Sequence, residues 1–129
     1  MKLNDTVDFI QDASQGLKNA ILKSSNIFVM PSVQKGRSVE GFGLVFLEAA
    51  KYGVPSIGGI KGGAADIIKN GETGFLCDGE QQSEIYNALL KMLDGDKYIE
   101  MGKSAEIYSK EFSWENQIKK IINLINERK

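Results

Sequence analysis

The chain has 129 residues, 42% of them hydrophobic and 26% charged, with 16 Lys and Arg against 17 Asp and Glu for a net charge of −1. That length fits one domain burying roughly two thirds of its unfolded surface, and the balanced charge removes the electrostatic case for nucleic acid or an acidic membrane surface as a partner. No histidine and a single cysteine exclude Ser-His-Asp and Cys-His catalysis and an internal disulfide, and leave no expectation of a zinc site or any other metal.

The first predicted element is a short strand from Val7 to Ile10. Ser14 can cap the helix that follows, in which Leu17, Ile21 and Leu22 share a face. Residues 27–30 are a second strand whose continuous apolar run suits burial on both sides; Pro31 closes it, because proline cannot donate to a sheet. Residues 33–39 form a polar loop in which Arg37 reads as solvent-facing. A central helix starts near Phe42, with Phe46, Leu47, Ala49, Ala50 and Val54 as its apolar surface, Gly53 as its stop and Pro55 preventing continuation. Residues 56–58 are a third strand and residues 58–63 a second glycine-rich turn. A short helix over 64–69 carries Asp66 in its first turn, and Asn70-Gly71 ends it. The last strand covers Gly74–Cys77, with Cys77 as a small buried hydrophobe. Three helices complete the chain, over 81–93, 97–110 and from Ser113 onward. In the last of them Ile118, Ile121, Ile122 and Ile125 align on one face, and Trp114 reads as core filler. No run approaches eighteen apolar residues, and the start lacks a signal peptide's charged-then-apolar order. These features, with the lone cysteine, fit a reducing cytoplasm.

Strand, turn, helix, strand, turn, helix is the order of a parallel α/β sheet, in which ligands bind beyond the carboxyl ends of the strands. Both glycine-rich turns fall there. Gly41-Phe42-Gly43-Leu44 opens a helix with little side-chain obstruction, so its unpaired amides and positive dipole end attract an anion. Glu40 stands just before this mouth, and Glu48 lies one turn beyond Leu44 on the same side of the helix. Taken alone, the two carboxylates fit either a site for a diphosphate sugar or a dipole-complementing residue and a surface glutamate.

The flanking pattern favours the site. Pro31-Ser32, Glu40-Gly-Phe-Gly-Leu-Val-x-Leu-Glu48-Ala, Gly53-x-Pro55, Gly62-Gly63 and Asn70-Gly-x-x-Gly74-Phe together resemble the donor-binding half of retaining glycosyltransferases of the GT-B architecture, family 4, the glycosyl transferases group 1. The resemblance implies a Rossmann-like, three-layer domain with a parallel sheet of about four strands. It implies that Glu40 binds the donor hexose as the catalytic glutamate and that Glu48 binds the ribose hydroxyls. The backbone of Gly41, Phe42, Gly43 and Leu44, with Gly62 and Gly63, would contact sugar and phosphate. Where relatives place a glutamate after the second turn, this chain has Asp66, one methylene shorter; where they place a glycine after the first strand, it has Gln11.

The implied activity is transfer of a hexosyl group from a UDP- or GDP-sugar to an acceptor hydroxyl, in surface polysaccharide or glycolipid assembly, with no cofactor. The expected setting is the cytoplasm or the inner face of the membrane. The match covers only the last part of the family pattern, so residues 1–129 are expected to be one domain, a fragment of the donor-binding domain. The acceptor glycan or lipid would be met by an N-terminal domain that is not in this sequence. The alternative is a non-catalytic module that binds nucleotides or completes a partner chain. Two strands that normally separate the first two strands here are missing, so the first is expected to close up against the second in a four-stranded sheet. An under-covered sheet face would then favour a homodimer or cover by the C-terminal helices. Asp94-Gly95-Asp96 mimics an Asp-x-Asp metal motif but reads as a helix–helix turn. Neither Gly41-x-Gly43 nor the 58–63 turn completes a dinucleotide fingerprint or a P-loop.

Overall fold

The computed structural model describes residues 6–33, 36 and 43–128. Strands β1 (Phe28–Met30), β2 (Ser56–Gly59) and β3 (Gly74–Cys77) form one parallel sheet in that order. Phe28 lies opposite Ser56 and Met30 opposite Gly58, while Ser56 lies opposite Gly74 and Gly59 opposite Cys77. Helix α1 (Gln15–Ser24) precedes β1, α2 (Leu44–Lys51) joins β1 to β2, and α3 (Ala64–Ile67) joins β2 to β3. Helices α4 (Gln82–Leu93), α5 (Lys97–Ser109) and α6 (Trp114–Glu127) follow. The expected α/β class, a parallel sheet flanked by helices, is what the chain adopts.

The strand count is corrected. Among the described residues the sheet has three strands, and residues 7–10 form no strand. Phe9 is 93% exposed, and Val7 and Ile10 are also open to solvent. A strand is stable only when its backbone groups find a ladder and its apolar face a cover. Neither is offered by the described residues, among which β1 pairs with β2 alone.

Alternation along the strands sends side chains to two cores. Ile57 and Cys77 meet Ala88 and Met92 of α4 and Met101 of α5 on one side. Phe28, Met30 and Leu76 pack with Phe46, Ala64, Ile67 and Ile68 on the other. Leu22 of α1, Ala49 and Val54 make a third cluster that seats α1 on α2. Ser14 and Ser113 cap α1 and α6 as expected, accepting from Leu17 N–H and Asn116 N–H. Gly53, at φ +71, ends α2 in the left-handed conformation that glycine adopts without strain. Asp94-Gly95-Asp96 is the turn between α4 and α5, with Gly95 and Asp96 both left-handed.

A second correction concerns α6. No residue of this helix is buried, and Trp114 is 82% exposed rather than part of a core. Ile118, Ile121, Ile122 and Ile125 do line one face, but that face is open. Periodicity shows that a helix has an apolar side; it does not show what covers it.

Cys77 is buried, and its Sγ–H points to the Gly58 carbonyl at 3.6 Å. Burial raises its pKa, and the nearby carboxylates of Glu84 and Asp78 raise it further. A thiol raised in the folded state contributes its stability in full at neutral pH and loses it as pH rises past the normal thiol range. Buried as it is, the native thiol should react with Ellman's reagent at pH 8 more slowly than the same thiol in urea. Equal rates would contradict this placement.

Candidate functional site

Because all three strands are parallel, their carboxyl ends share one edge. Three close backbone approaches knit that edge together, each permitted by a missing side chain. A Cβ on Gly59 would fall against the Ser32 carbonyl oxygen, and one on Gly79 against the Pro31 carbonyl oxygen. A Cβ on Gly43 would lie 3.1 Å from the carbonyl carbon of Gly63 and 3.0 Å from the Phe46 ring. The two glycine-rich turns singled out in the sequence therefore meet, with Gly43 on one and Gly62-Gly63 on the other.

Helix α2 begins at Leu44, two residues later than expected, because Gly43 takes a left-handed φ of +71 and acts as its N-cap. Gly43 has no side chain to offer, and its carbonyl accepts from Phe46 N–H at 2.9 Å. The N-cap residue therefore gives α2 no side-chain cap. Gly43 and Gly63 are buried, Gly62 is half-buried at φ +117, and Leu44 is 64% exposed. Asp66 lies in the first turn of α3 and is exposed. Glu40, Gly41, Phe42 and Arg37 lie outside the described residues.

Glu48 is one turn along α2 from Leu44. Its carboxylate is half-exposed, and both of its oxygens accept from the Lys18 ammonium, at 3.0 and 2.9 Å. Lys18 belongs to α1, thirty residues away in sequence. The pair stands between two clefts. One, of about 400 Å³, runs along the outer face of α2 and is lined by Leu44, Leu47, Glu48, Lys51, Lys110 and Phe112, among others. The other, of about 260 Å³, lies on the α1 side against Ile10, Lys18, Leu22 and Val45. Lys18, Lys51 and Lys110 were not singled out from the sequence. Only Lys51 carried a local signal, as the cation in the last turn of α2.

Among the described residues, this arrangement brings the start of α2 beside the glycines of the second turn, where its amides and dipole suit an anion, and offers hydroxyl groups a carboxylate held by Lys18. Among the described residues no cluster of His, Cys, Asp and Glu could hold a metal ion, and no helix is long and apolar enough to cross a membrane.

Comparison with known proteins agrees with the sequence resemblance. The family model described as glycosyl transferases group 1 matches residues 1–112. The chain is 32% identical over 105 residues to the GDP-mannose-dependent alpha-(1-6)-phosphatidylinositol monomannoside mannosyltransferase of Mycobacterium tuberculosis, covering 78% of this chain and 27% of that protein. It is 34% identical over 109 residues to the D-inositol 3-phosphate glycosyltransferase of Corynebacterium glutamicum, covering 84% of this chain and 25% of that protein. The chain thus spans about a quarter of the length of the curated relatives it matches. In fold it is similar to the sucrose-phosphate synthase of Thermosynechococcus elongatus, with a TM-score of 0.77 at 24% identity over 98% of this chain and 32% of that one. It is also similar to Anabaena HepE, solved in complex with UDP-glucose, with a TM-score of 0.66 at 23% identity over 83% of this chain and 29% of that one.

Proposed function

This chain belongs to the glycosyl transferases group 1 family, and we propose that it is the donor-binding part of a retaining, metal-independent hexosyltransferase. In this reading residues 1–129 are one domain of a longer architecture, and the acceptor, a glycan or lipid, is presented by a further domain. The observation that carries the proposal is the meeting of Gly43 with Gly63 at the sheet edge, with Glu48 one turn along the helix that starts there. The donor diphosphate lies at the start of α2 and over Gly62 and Gly63, where backbone amides and the helix dipole stabilise it. Glu48 accepts from the ribose hydroxyls, and Glu40 binds the hexose. In transfer, the bond from the sugar's anomeric carbon to the diphosphate breaks and one to the acceptor oxygen forms. The acceptor's proton leaves with the diphosphate. Catalysis is mainly electrostatic, steadying that leaving group in a cleft closed against water.

The relatives' printed names include GDP-mannose, and the HepE structure holds UDP-glucose, so both bases belong in the test. Calorimetric titration of the chain with UDP, GDP and their hexose conjugates should show binding to one series. The Glu48→Ala variant should weaken it by about tenfold or more, the loss expected for hydrogen bonds to a charged group. Undiminished binding by the variant would remove Glu48 from the site. Equal affinity for nucleotides with and without the hexose would favour the non-catalytic module instead.

A further inference from the structure

We propose that Lys18 is a positioning residue for the donor ribose, fixing the Glu48 carboxylate in the pose that accepts the two vicinal hydroxyls. The inference rests on the donor-binding reading above, which gives Glu48 to the ribose, and adds a residue from a helix to which that reading assigned nothing.

Glu48 sits on an exposed face of α2, and its side chain is 37% exposed. A glutamate so placed samples several rotamers, and ordering it on binding would cost a roughly two- to tenfold loss of affinity. Here that ordering is done in advance. The Lys18 ammonium donates to both oxygens, at 3.0 and 2.9 Å, so the pair is joined by hydrogen bonds between opposite charges. A carboxylate has about four acceptor positions, so one ammonium leaves each oxygen able to accept another proton. A vicinal diol offers two donors at matching spacing.

Lys18 is itself held. It lies one turn before Leu22, whose buried side chain packs with Ala49, the neighbour of Glu48, and Val54. The packing that seats α1 on α2 therefore also sets the distance from Lys18 to Glu48. A half-exposed ion pair contributes little to folding; its effect here falls on where the carboxylate points.

The test measures affinity for UDP and GDP and for their 2′,3′-dideoxy counterparts, in the wild type and in Lys18→Met and Lys18→Arg, with thermal melts of all three. Methionine keeps the apolar stem and removes the charge. Lys18→Met should melt within a few degrees of wild type, weaken the ribonucleotide about fivefold and leave the 2′,3′-dideoxy nucleotide within about twofold. The preference for ribose would shrink accordingly, and Lys18→Arg should restore most of it. A lysine that touches phosphate, or one that merely supports the fold, would lower both nucleotides equally, and that result overturns the inference. A ribose preference unchanged in Lys18→Met also overturns it while leaving the donor reading intact. A wild type that binds these nucleotides with no ribose preference overturns the assignment of Glu48, and this inference with it.

Discussion

Placing one methyl group on Gly59 should cost the fold about 3 kcal/mol, the upper end of what overpacking usually costs. The new Cβ would fall closer to the Ser32 carbonyl oxygen than any real Cβ contact, with the Ser32 nitrogen and carbonyl carbon each 3.2 Å away. All three atoms are backbone, and they belong to the segment leaving β1 beside β2. No rotamer change relieves the clash, so the strand exits must part. Urea denaturation of Gly59→Ala should show the loss as a lower midpoint with an unchanged slope, and the melting temperature should fall by about 10 °C. Gly16→Ala makes a sharp contrast. Its Cβ would meet nothing nearer than the Ser14 hydroxyl at 4.0 Å, inside the first turn of α1. That variant should gain roughly 0.5 kcal/mol through helix propensity. Equal effects from the two substitutions would mean that the close approach at Ser32 does not exist.

Phe46→Ala is the second large effect, an expected loss of about 4 kcal/mol. Phe46 is 1% exposed and stands edge-on to Phe28, with ring centroids 5.6 Å apart at 72°, a geometry that adds about 1 kcal/mol beyond burial. Its ring also fills the hollows left by two glycines: a Cβ on Gly43 or on Gly58 would lie 3.0 or 3.2 Å from it. Removing the ring therefore empties the core and loosens the turn that caps α2. In a protein whose total stability is about 5–15 kcal/mol, the variant should be partly unfolded near 40 °C, and circular dichroism melts would show it. Phe46→Leu should lose only about 1.5 kcal/mol. Similar melts for both variants would indicate that burial alone, without the ring, sets the local structure.

How far the sequence could be read depended on whether a feature announced itself locally. Ser14, Ser113 and Gly53 sit where capping chemistry puts them, and Gly74–Cys77 has the expected bounds. The meeting of the two glycine turns was implied by parallel topology, since both leave the same sheet edge. The strand from Val7 to Ile10 failed because apolar character was taken for pairing, and pairing needs a neighbour that the pattern cannot supply. Trp114 failed for a related reason: a large ring beside a helix cap says nothing about what lies opposite. The start of α2 moved from Phe42 to Leu44 because Gly43 turns left-handed, a choice open to glycine but not signalled by it. Lys18 was illegible altogether. It is one of many surface lysines, and only the packing of Leu22 on Ala49 gives it a partner thirty residues away.

The parallel sheet has a consequence for how this half of the chain comes together. No two of the described strands are joined by a tight hairpin, so each of their pairings waits for a crossover to close. The β1–β2 and β2–β3 crossovers differ in length by less than a factor of two, which separates their closure entropies by less than about 0.6 kcal/mol. Neither is given a head start by its helix, since α2 has eight residues and α3 four, below the length at which an isolated helix persists in water. Strands and crossovers therefore have no stable intermediate to rest on. The segment carrying both glycine turns forms as one cooperative unit, and a lesion in either turn is felt by the whole of it.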